Sequence, residues 1–422
     1  MSSSGPGHPL TFNLVTTFYP PYNFGGDGIF VYRLANALAG RGHRVNVVHC
    51  ADSYAYLARR PPRGEFPNHP GVTVHTLRSR FGRLSPIATY GIGLPALKAS
   101  ALEAILNRPA DVTHFHNVSL VGGPGVLSYG RGVKLYTAHE HWLVCPTHIL
   151  WKFDREPCEK KECFRCTIES GRPPQFWRYT PLLRRQLKHL DALIVSSRFS
   201  LERHAELGIR TELLPNFVPE PTPSTGGPPP HPRPYVVYAG RLEKPKGILW
   251  LVDVFRGYRG VDLLVAGDGM DEPTARAAAA ELPHVRFLGR LDRARLDELF
   301  RHAVGVVVPS LCYETFGMVV VEALAVGSPV LVRDLGPLPE LVEQSRAGFT
   351  FRESHDLVAG IERLRADPAL RKTLGQRGLE AYRERWTAER HLRRYFDLIA
   401  GLGGSGRVPA VPLDSAFPGQ RA

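Results

Sequence analysis

Short uninterrupted runs of Val, Ile and Leu alternate along the chain with longer stretches in which apolar positions recur at helical spacing. In the first half the runs lie at 11–16, 45–49, 72–77 and 192–195, with strand ends at 111–117 and 133–139. In the second half they lie at 235–240, 261–266, 285–289, 303–308 and 330–333. A run apolar on both faces suits a buried parallel strand, and the amphipathic stretches between such runs suit crossover helices. The clearest unit opens the chain: strand 11–16, the turn Gly25-Gly26-Asp27-Gly28, a helix over 29–38 with Val31, Leu34, Ala35 and Leu38 on one face, then strand 45–49. This predicts a doubly wound sheet. Residues 51–110 are less periodic; only strand 72–77 and a helix over 95–106 are predicted there. The apolar, Gly-rich segment 86–95 is assigned to core packing, with an apolar acceptor or a membrane as the other reading.

The pattern breaks at 219–234, where Pro, Ser, Thr and Gly replace every apolar run. That stretch is read as a linker between an N-terminal domain, 10–218, and a second domain, 235–385. A helix over 386–400 is long enough to cross back onto the first half. Residues 1–9 and 401–422 are expected to be disordered. A length of 422 residues suits two domains plus tails.

Composition narrows the class. The chain carries 53 Lys and Arg against 40 Asp and Glu, a net charge of +13, which favours an anionic partner. The basic residues are scattered, without aromatic interleaving on one face, which disfavours nucleic acid. Two clusters stand out, 59–63 and 78–83, read equally as solvated loops or as a patch for an anionic membrane surface. No apolar run approaches the ~18 residues of a spanning helix. The start is polar and small, so the expected location is cytoplasmic, with peripheral contact at the inner membrane face as an option. Six cysteines in such a chain argue against a disulfide framework.

The candidate chemistry gathers at predicted strand ends. The stretch from Pro309 to Glu322 reads as strand, turn and helix, with Gly317 permitting close backbone approach and the free N–H groups of Met318 and Val319 forming an anion site. Glu314 precedes that helix start and Glu322 lies about a turn and a half beyond it; ionised carboxylates only accept hydrogen bonds and so suit hydroxyls. Gly240 and Arg241 end one strand and Lys246 opens the next helix, a pairing of bidentate donor and point charge that suits a diphosphate. Gly267 and Gly289 close two further strands. His139 falls at the carboxyl end of strand 133–139, where open α/β sheets bind ligands. Cys145, Cys158, Cys163 and Cys166 follow in the loop 145–166, spaced C-x12-C-x4-C-x2-C; they are read as ligands of a structural metal, zinc first, with an iron–sulfur cluster or chance as alternatives.

Taken together these motifs resemble the retaining glycosyltransferases of family 4, and the resemblance covers about residues 10 to 400. It implies the GT-B fold, two Rossmann-like domains with a cleft between them. It implies that Arg241, Lys246 and the N–H groups near Gly317, Met318 and Val319 hold the diphosphate of a UDP-, GDP- or dTDP-sugar, and that Glu322 takes the ribose hydroxyls. Glu314 and His139 would contact the transferred sugar, Gly26 and Gly28 would face the diphosphate from the other domain, and the base would lie against the Gly267 and Gly289 loops. The implied transfer is retaining and front-face, with no organic cofactor and no catalytic divalent metal. The acceptor would be a glycan, lipid-linked saccharide or natural product, as in polysaccharide biosynthesis. Two features depart from the pattern: Glu140 stands where an Asp is common, and the cysteine loop lengthens the region after it. The rival readings are a nucleotide-sugar epimerase of the same fold and a non-catalytic sugar-nucleotide-binding protein.

Overall fold

The computed structural model describes residues 8–58, 61–62, 64–224 and 226–407. Most of the basic cluster 59–63, the N-terminal stretch 1–7 and the end 408–422 lie outside the described residues. In the first half the strands are β1 (Thr11–Val15), β2 (Arg44–Cys50), β3 (Val72–Leu77), β4 (Val112–Phe115), β5 (Val133–Thr137), the two-stranded antiparallel hairpin β6 (Trp151–Lys152) and β7 (Glu156–Pro157), β8 (Ala192–Val195) and β9 (Thr211–Leu213). The second half adds β10 (Tyr235–Ala239), β11 (Asp262–Ala266), β12 (Val285–Gly289), β13 (Gly305–Val308), β14 (Val330–Arg333) and β15 (Gly348–Phe351).

Two parallel sheets result, ordered β3-β2-β1-β4-β5-β8-β9 and β12-β11-β10-β13-β14-β15. Their central strands are buried on both faces, which is why they read as continuous apolar runs: β10 is Tyr-Val-Val-Tyr-Ala and β13 Gly-Val-Val-Val. Helices cover both faces of each sheet, as doubly wound topology demands. In the first domain the helix Gly26–Ala39 sets Phe30, Val31, Leu34 and Leu38 against Phe12, Leu14, Val45 and Val47. In the second, Val320, Val321 and Leu324 of the helix Met318–Ala325 pack on Val306, Val308, Val330 and Val332.

Two expectations change. The last helix runs Ala388–Arg407, so residues 401–407 continue it rather than belong to a tail. It does cross back: Leu392, Tyr395, Phe396 and Ile399 are buried against Leu10, Phe12 and Phe217. The segment 86–95 is not simply core. It falls in a helix, Leu84–Ile92, and the turn after it, and Leu84, Ile87, Ile92 and Leu94 are exposed because the helix buries only Ser85, Pro86 and Thr89.

Candidate active site

Each sheet reverses its strand order once, between β1 and β4 in the first and between β10 and β13 in the second. Loops leaving the carboxyl ends of such a pair diverge, and the crevice they leave is where open α/β sheets bind ligands. The turn at Gly25 follows β1 and His116 with Asn117 follows β4; Gly240 with Arg241 follows β10 and the stretch 309–317 follows β13. The two crevices face each other. A Cβ on Gly25 would lie 4.0 Å from Arg241 Nε. Thr315 Oγ1 donates to the His139 carbonyl at 3.0 Å, and the hydroxyls of Ser196, Ser197 and Ser200 donate to the Thr315 carbonyl at 3.0, 2.8 and 3.2 Å.

On the second domain's side, Lys246 Nζ lies 2.7 Å from Glu314 Oε1, which also accepts from Ser310 Oγ at 2.7 Å. Burial disfavours both charges, but each is outweighed by the other: the Glu314 carboxylate holds Lys246 above its ordinary value, and Lys246 with Ser310 holds Glu314 below its own. Both are therefore charged at neutral pH. Arg241 is exposed, and its Nη1 is 2.8 Å from Glu243 Oε1. Gly317 caps the helix Met318–Ala325 with φ 103°, a left-handed conformation open to glycine, and so turns the helix start toward this group. Gly240, Gly267 and Gly289 meet at neighbouring strand ends: Gly240 N–H donates to the Ala266 carbonyl at 3.0 Å, and Gly267 N–H to the Gly289 carbonyl at 2.8 Å.

Glu322 already has partners within the chain. Its Oε1 is 3.2 Å from Arg33 Nη2, on the first domain, and 2.8 Å from Arg293 Nη1. A ligand hydroxyl would share this carboxylate with two guanidinium groups. Arg33 and Arg293 carry no motif of their own, and only the fold brings them to Glu322.

On the first domain's side the helix begins at Gly26, so the glycine turn is the helix's own first turn and its N–H groups are unpaired by helix bonding. Gly26 is exposed, but Gly28 is buried: a Cβ there would come 2.9 Å from Asn23 Cβ and 3.1 Å from the Phe18 carbonyl oxygen. The Cα of Gly28 is therefore packed under the turn, with no room for a side chain. Asp27 accepts from Asn117 Nδ2 at 3.2 Å, and burial raises its carboxyl above the ordinary range. His139 is stacked against His116, with His116 Nδ1 2.9 Å from His139 Nε2. Burial holds His139 down at about 3, so it is neutral and acts as a hydrogen-bonding group, not a cation. His116, Asn117 and Asp27 were not singled out in the sequence, although 114–117 ends a strand and two alternate positions there are His.

The four loop cysteines come together. Cys145, Cys158, Cys163 and Cys166 all line one cavity of about 10 Å³, and all are free thiols. Burial, with the other three cysteines, pushes the Cys158 thiol up to about 11. Among the described residues no three His, Cys, Asp or Glu side chains are set as a formed metal site.

A family model described as glycosyl transferase 4-like domain matches residues 25–216, and one described as glycosyl transferases group 1 matches residues 225–381. The boundary between them coincides with the boundary between the two sheets. The chain is a glycosyltransferase of the GT-B fold. Among curated relatives, glycogen synthase of Mycobacterium tuberculosis is 28% identical over 411 residues, 89% of this chain and 90% of that protein. Phosphatidyl-myo-inositol mannosyltransferase of Mycobacterium leprae is 30% identical over 182 residues, 41% of this chain and about half, 49%, of that protein's length. Sucrose-phosphate synthase from Thermosynechococcus elongatus superposes with a TM-score of 0.73 at 21% identity, covering 94% of this chain and all of that one. HepE of Anabaena, solved in complex with UDP and glucose, superposes with a TM-score of 0.62 at 17% identity, covering 93% of this chain and all of that one.

Proposed function

We propose that this enzyme transfers a sugar, with retention, from a nucleoside-diphosphate sugar to an acceptor hydroxyl. The observation that carries the reading is the meeting of Arg241, Lys246, Glu314 and the start of the helix Met318–Ala325 at one switch point, opposite the first turn of the helix Gly26–Ala39. Two helix N-termini and two cations suit a diphosphate leaving group, whose charge grows as the glycosidic bond breaks. Glu314, charged and held by Lys246, is placed to accept from a sugar hydroxyl, and neutral His139 lies across the cleft beside it. In a front-face reaction the departing phosphate oxygen takes the acceptor's proton while the acceptor oxygen bonds to the anomeric carbon from the same side. The chain's contribution is then to hold charge and position.

The UDP complexes of HepE make UDP-sugars the first donors to try. Incubation with UDP-, GDP- and dTDP-sugars, each followed for slow donor hydrolysis and for thermal shift, tests the reading. One nucleotide series is expected to be hydrolysed and to raise the unfolding temperature. No hydrolysis and no shift with any of them would overturn it.

The exposed side chains of Phe81, Leu84, Ile87, Ile92 and Leu94 favour an acceptor held at a lipid surface over a freely soluble one. They lie on the first, acceptor-binding domain, beside exposed Arg78, Arg80 and Arg83. Among the described residues no helix is long and apolar enough to cross a membrane, so such contact would be peripheral.

A further inference from the structure

We propose that Cys145, Cys158, Cys163 and Cys166 bind one zinc ion as four thiolates, and that this ion pins the loop that bridges the cleft to the turn carrying Glu314. The four residues line a single cavity whose volume, about 10 Å³, is that of one small occupant. A four-thiolate set suits zinc or an iron–sulfur cluster, and four thiolates about one small space suit a single tetrahedral ion. The only charged side chains sharing that lining, Lys152 and Glu162, are paired with each other, which leaves the sulfurs as the available ligands.

The surroundings suit thiolates. Phe153 N–H donates to Cys166 Sγ at 3.3 Å, the outer-layer hydrogen bond that a metal-bound sulfur accepts. Arg178 sits near Cys145 and Cys163, close enough for their charges to interact. Its guanidinium donates to the Trp142 carbonyl at 2.7 Å and to Gln175, and among the described residues it has no carboxylate partner. A half-buried cation without a counter-charge beside neutral thiols is costly; a tetrathiolate zinc, with a net charge of −2, supplies the counter-charge. On binding, four S–H bonds break, four protons go to solvent and four Zn–S bonds form, with no change of oxidation state. The thiols have to turn inward by side-chain rotation to do so, since they are not already closed on a common point.

The backbone also calls for a cross-link. Non-glycine residues with positive φ among those described are Ala96, His148, Leu150, Phe153, Asp154 and Arg346, so four of the six fall within 148–154. The regular structure of the loop 145–166 is the hairpin β6–β7 and the first turn of the helix Cys163–Glu169, which carries two of the four cysteines. Yet this loop makes the contacts that join the domains: Cys145 and Leu150 pack on Tyr313, Lys244 Nζ donates to the Asp154 carbonyl at 2.9 Å, and His141 Nε2 lies 3.4 Å from the Glu314 carbonyl. A metal ion would hold in one place a segment whose own core is too small to do so.

The test uses the full-length protein purified without chelator, and its metal readout does not depend on the transferase reading. Elemental analysis should find one zinc per chain, lost in Cys158→Ser/Cys163→Ser and kept in Cys50→Ser. Exchange for cobalt(II) in the wild-type protein should give a thiolate-to-metal charge-transfer band, so the result does not hang on the double variant folding. No bound metal with all four thiols open to alkylation would overturn the site, and so would an intact mass showing two disulfides. Stripping the zinc should raise amide exchange in 145–166 and in 309–316 together; unchanged exchange at 309–316 would overturn the pinning of the donor turn.

Discussion

The proposed function assigns Arg241 and Glu322 to opposite ends of the donor, and their surroundings separate them. Arg241 is exposed, pairs with Glu243 two residues on, and faces the Gly25 turn across the cleft. Its charge is worth most where the leaving diphosphate gains charge, so Arg241→Ala should lower kcat by roughly 100-fold with a smaller change in KM. Glu322 is held by Arg33 and Arg293, and the proposal gives it the ribose, not the breaking bond. Glu322→Ala should raise donor KM about tenfold and leave kcat nearly unchanged. Steady-state kinetics on both variants checks the division, and equal loss of binding alone in the two would refute it. Histidine titration gives a second expectation. Folding depresses His139 to about 3 and His391 to about 4, chiefly by burial, against an unfolded value near 6.5. A depressed group contributes stability that is complete above the unfolded value and drains as pH falls through the folded one. The enzyme should therefore lose stability from about pH 6.5 toward pH 4, by about 2 kcal/mol per such histidine at about pH 5. Thermal unfolding of the wild type and His391→Gln across that range tests the His391 share: the wild-type midpoint should fall more steeply, and parallel slopes would remove His391 as a cause.

At the scale of elements, the proposed donor site depends on backbone crossings that the glycines permit. Gly247 joins the turn Lys244–Lys246 to the helix Ile248–Gly257 at φ 77°, and a Cβ on it would meet the Pro309 carbonyl oxygen at 2.1 Å. The neighbouring Leu311 N–H donates to the Pro245 carbonyl at 2.8 Å, so the loops after β10 and β13 are fastened together here. Gly247→Ala should cost at least about 2 kcal/mol of stability and displace Lys246 from Glu314, weakening donor binding; a variant with wild-type unfolding temperature and KM would show that the crossing is not needed. Much of this level was legible in the sequence, because buried parallel strands and their glycine-rich exits leave local signals: β10, β11, β13 and the helix at 318 fell close to where they were read. What was missed had no local signal. The edge strands β9 and β15 are short and only half apolar, and β15, Gly-Phe-Thr-Phe, is fixed by pairing with β14 rather than by its own pattern. Arg33 and Arg293 are ordinary surface arginines until Glu322 is folded between them, and His116 reads as one more polar strand residue until β5 brings His139 beside it. Residue type and spacing reveal a ligand site only when the chemistry is adjacent in sequence, and these pairings are made by topology.

At the scale of the whole molecule, the first domain, proposed to bind the acceptor, presents an exposed apolar face. Its helix Leu84–Ile92 is amphipathic in an unusual sense, for it buries Ser85, Pro86 and Thr89 and leaves Leu84 61% and Ile92 50% exposed. Lys98 is buried beneath it, donating to Ser85 Oγ at 2.9 Å and Thr89 Oγ1 at 3.0 Å, so the polar face is turned inward by specific bonds and the apolar face is held outward. Packing alone would have rotated the helix the other way, since burying such side chains contributes ~1.5–3 kcal/mol each. An arrangement that spends interior hydrogen bonds to present leucine and isoleucine, with Arg78, Arg80 and Arg83 at its edge, suits a surface that is apolar within and anionic at its border. The enzyme should therefore cosediment with phosphatidylglycerol-containing vesicles and much less with purely zwitterionic ones, and the bound fraction should fall as salt is raised because the arginine contribution is screened. Ile87→Asp/Ile92→Asp changes only exposed positions, so it should keep the wild-type unfolding temperature and hydrolyse donor at the wild-type rate while losing most vesicle binding. Binding that is equal for both vesicle types, or equal for wild type and variant, would return this face to the solvent and the acceptor to solution.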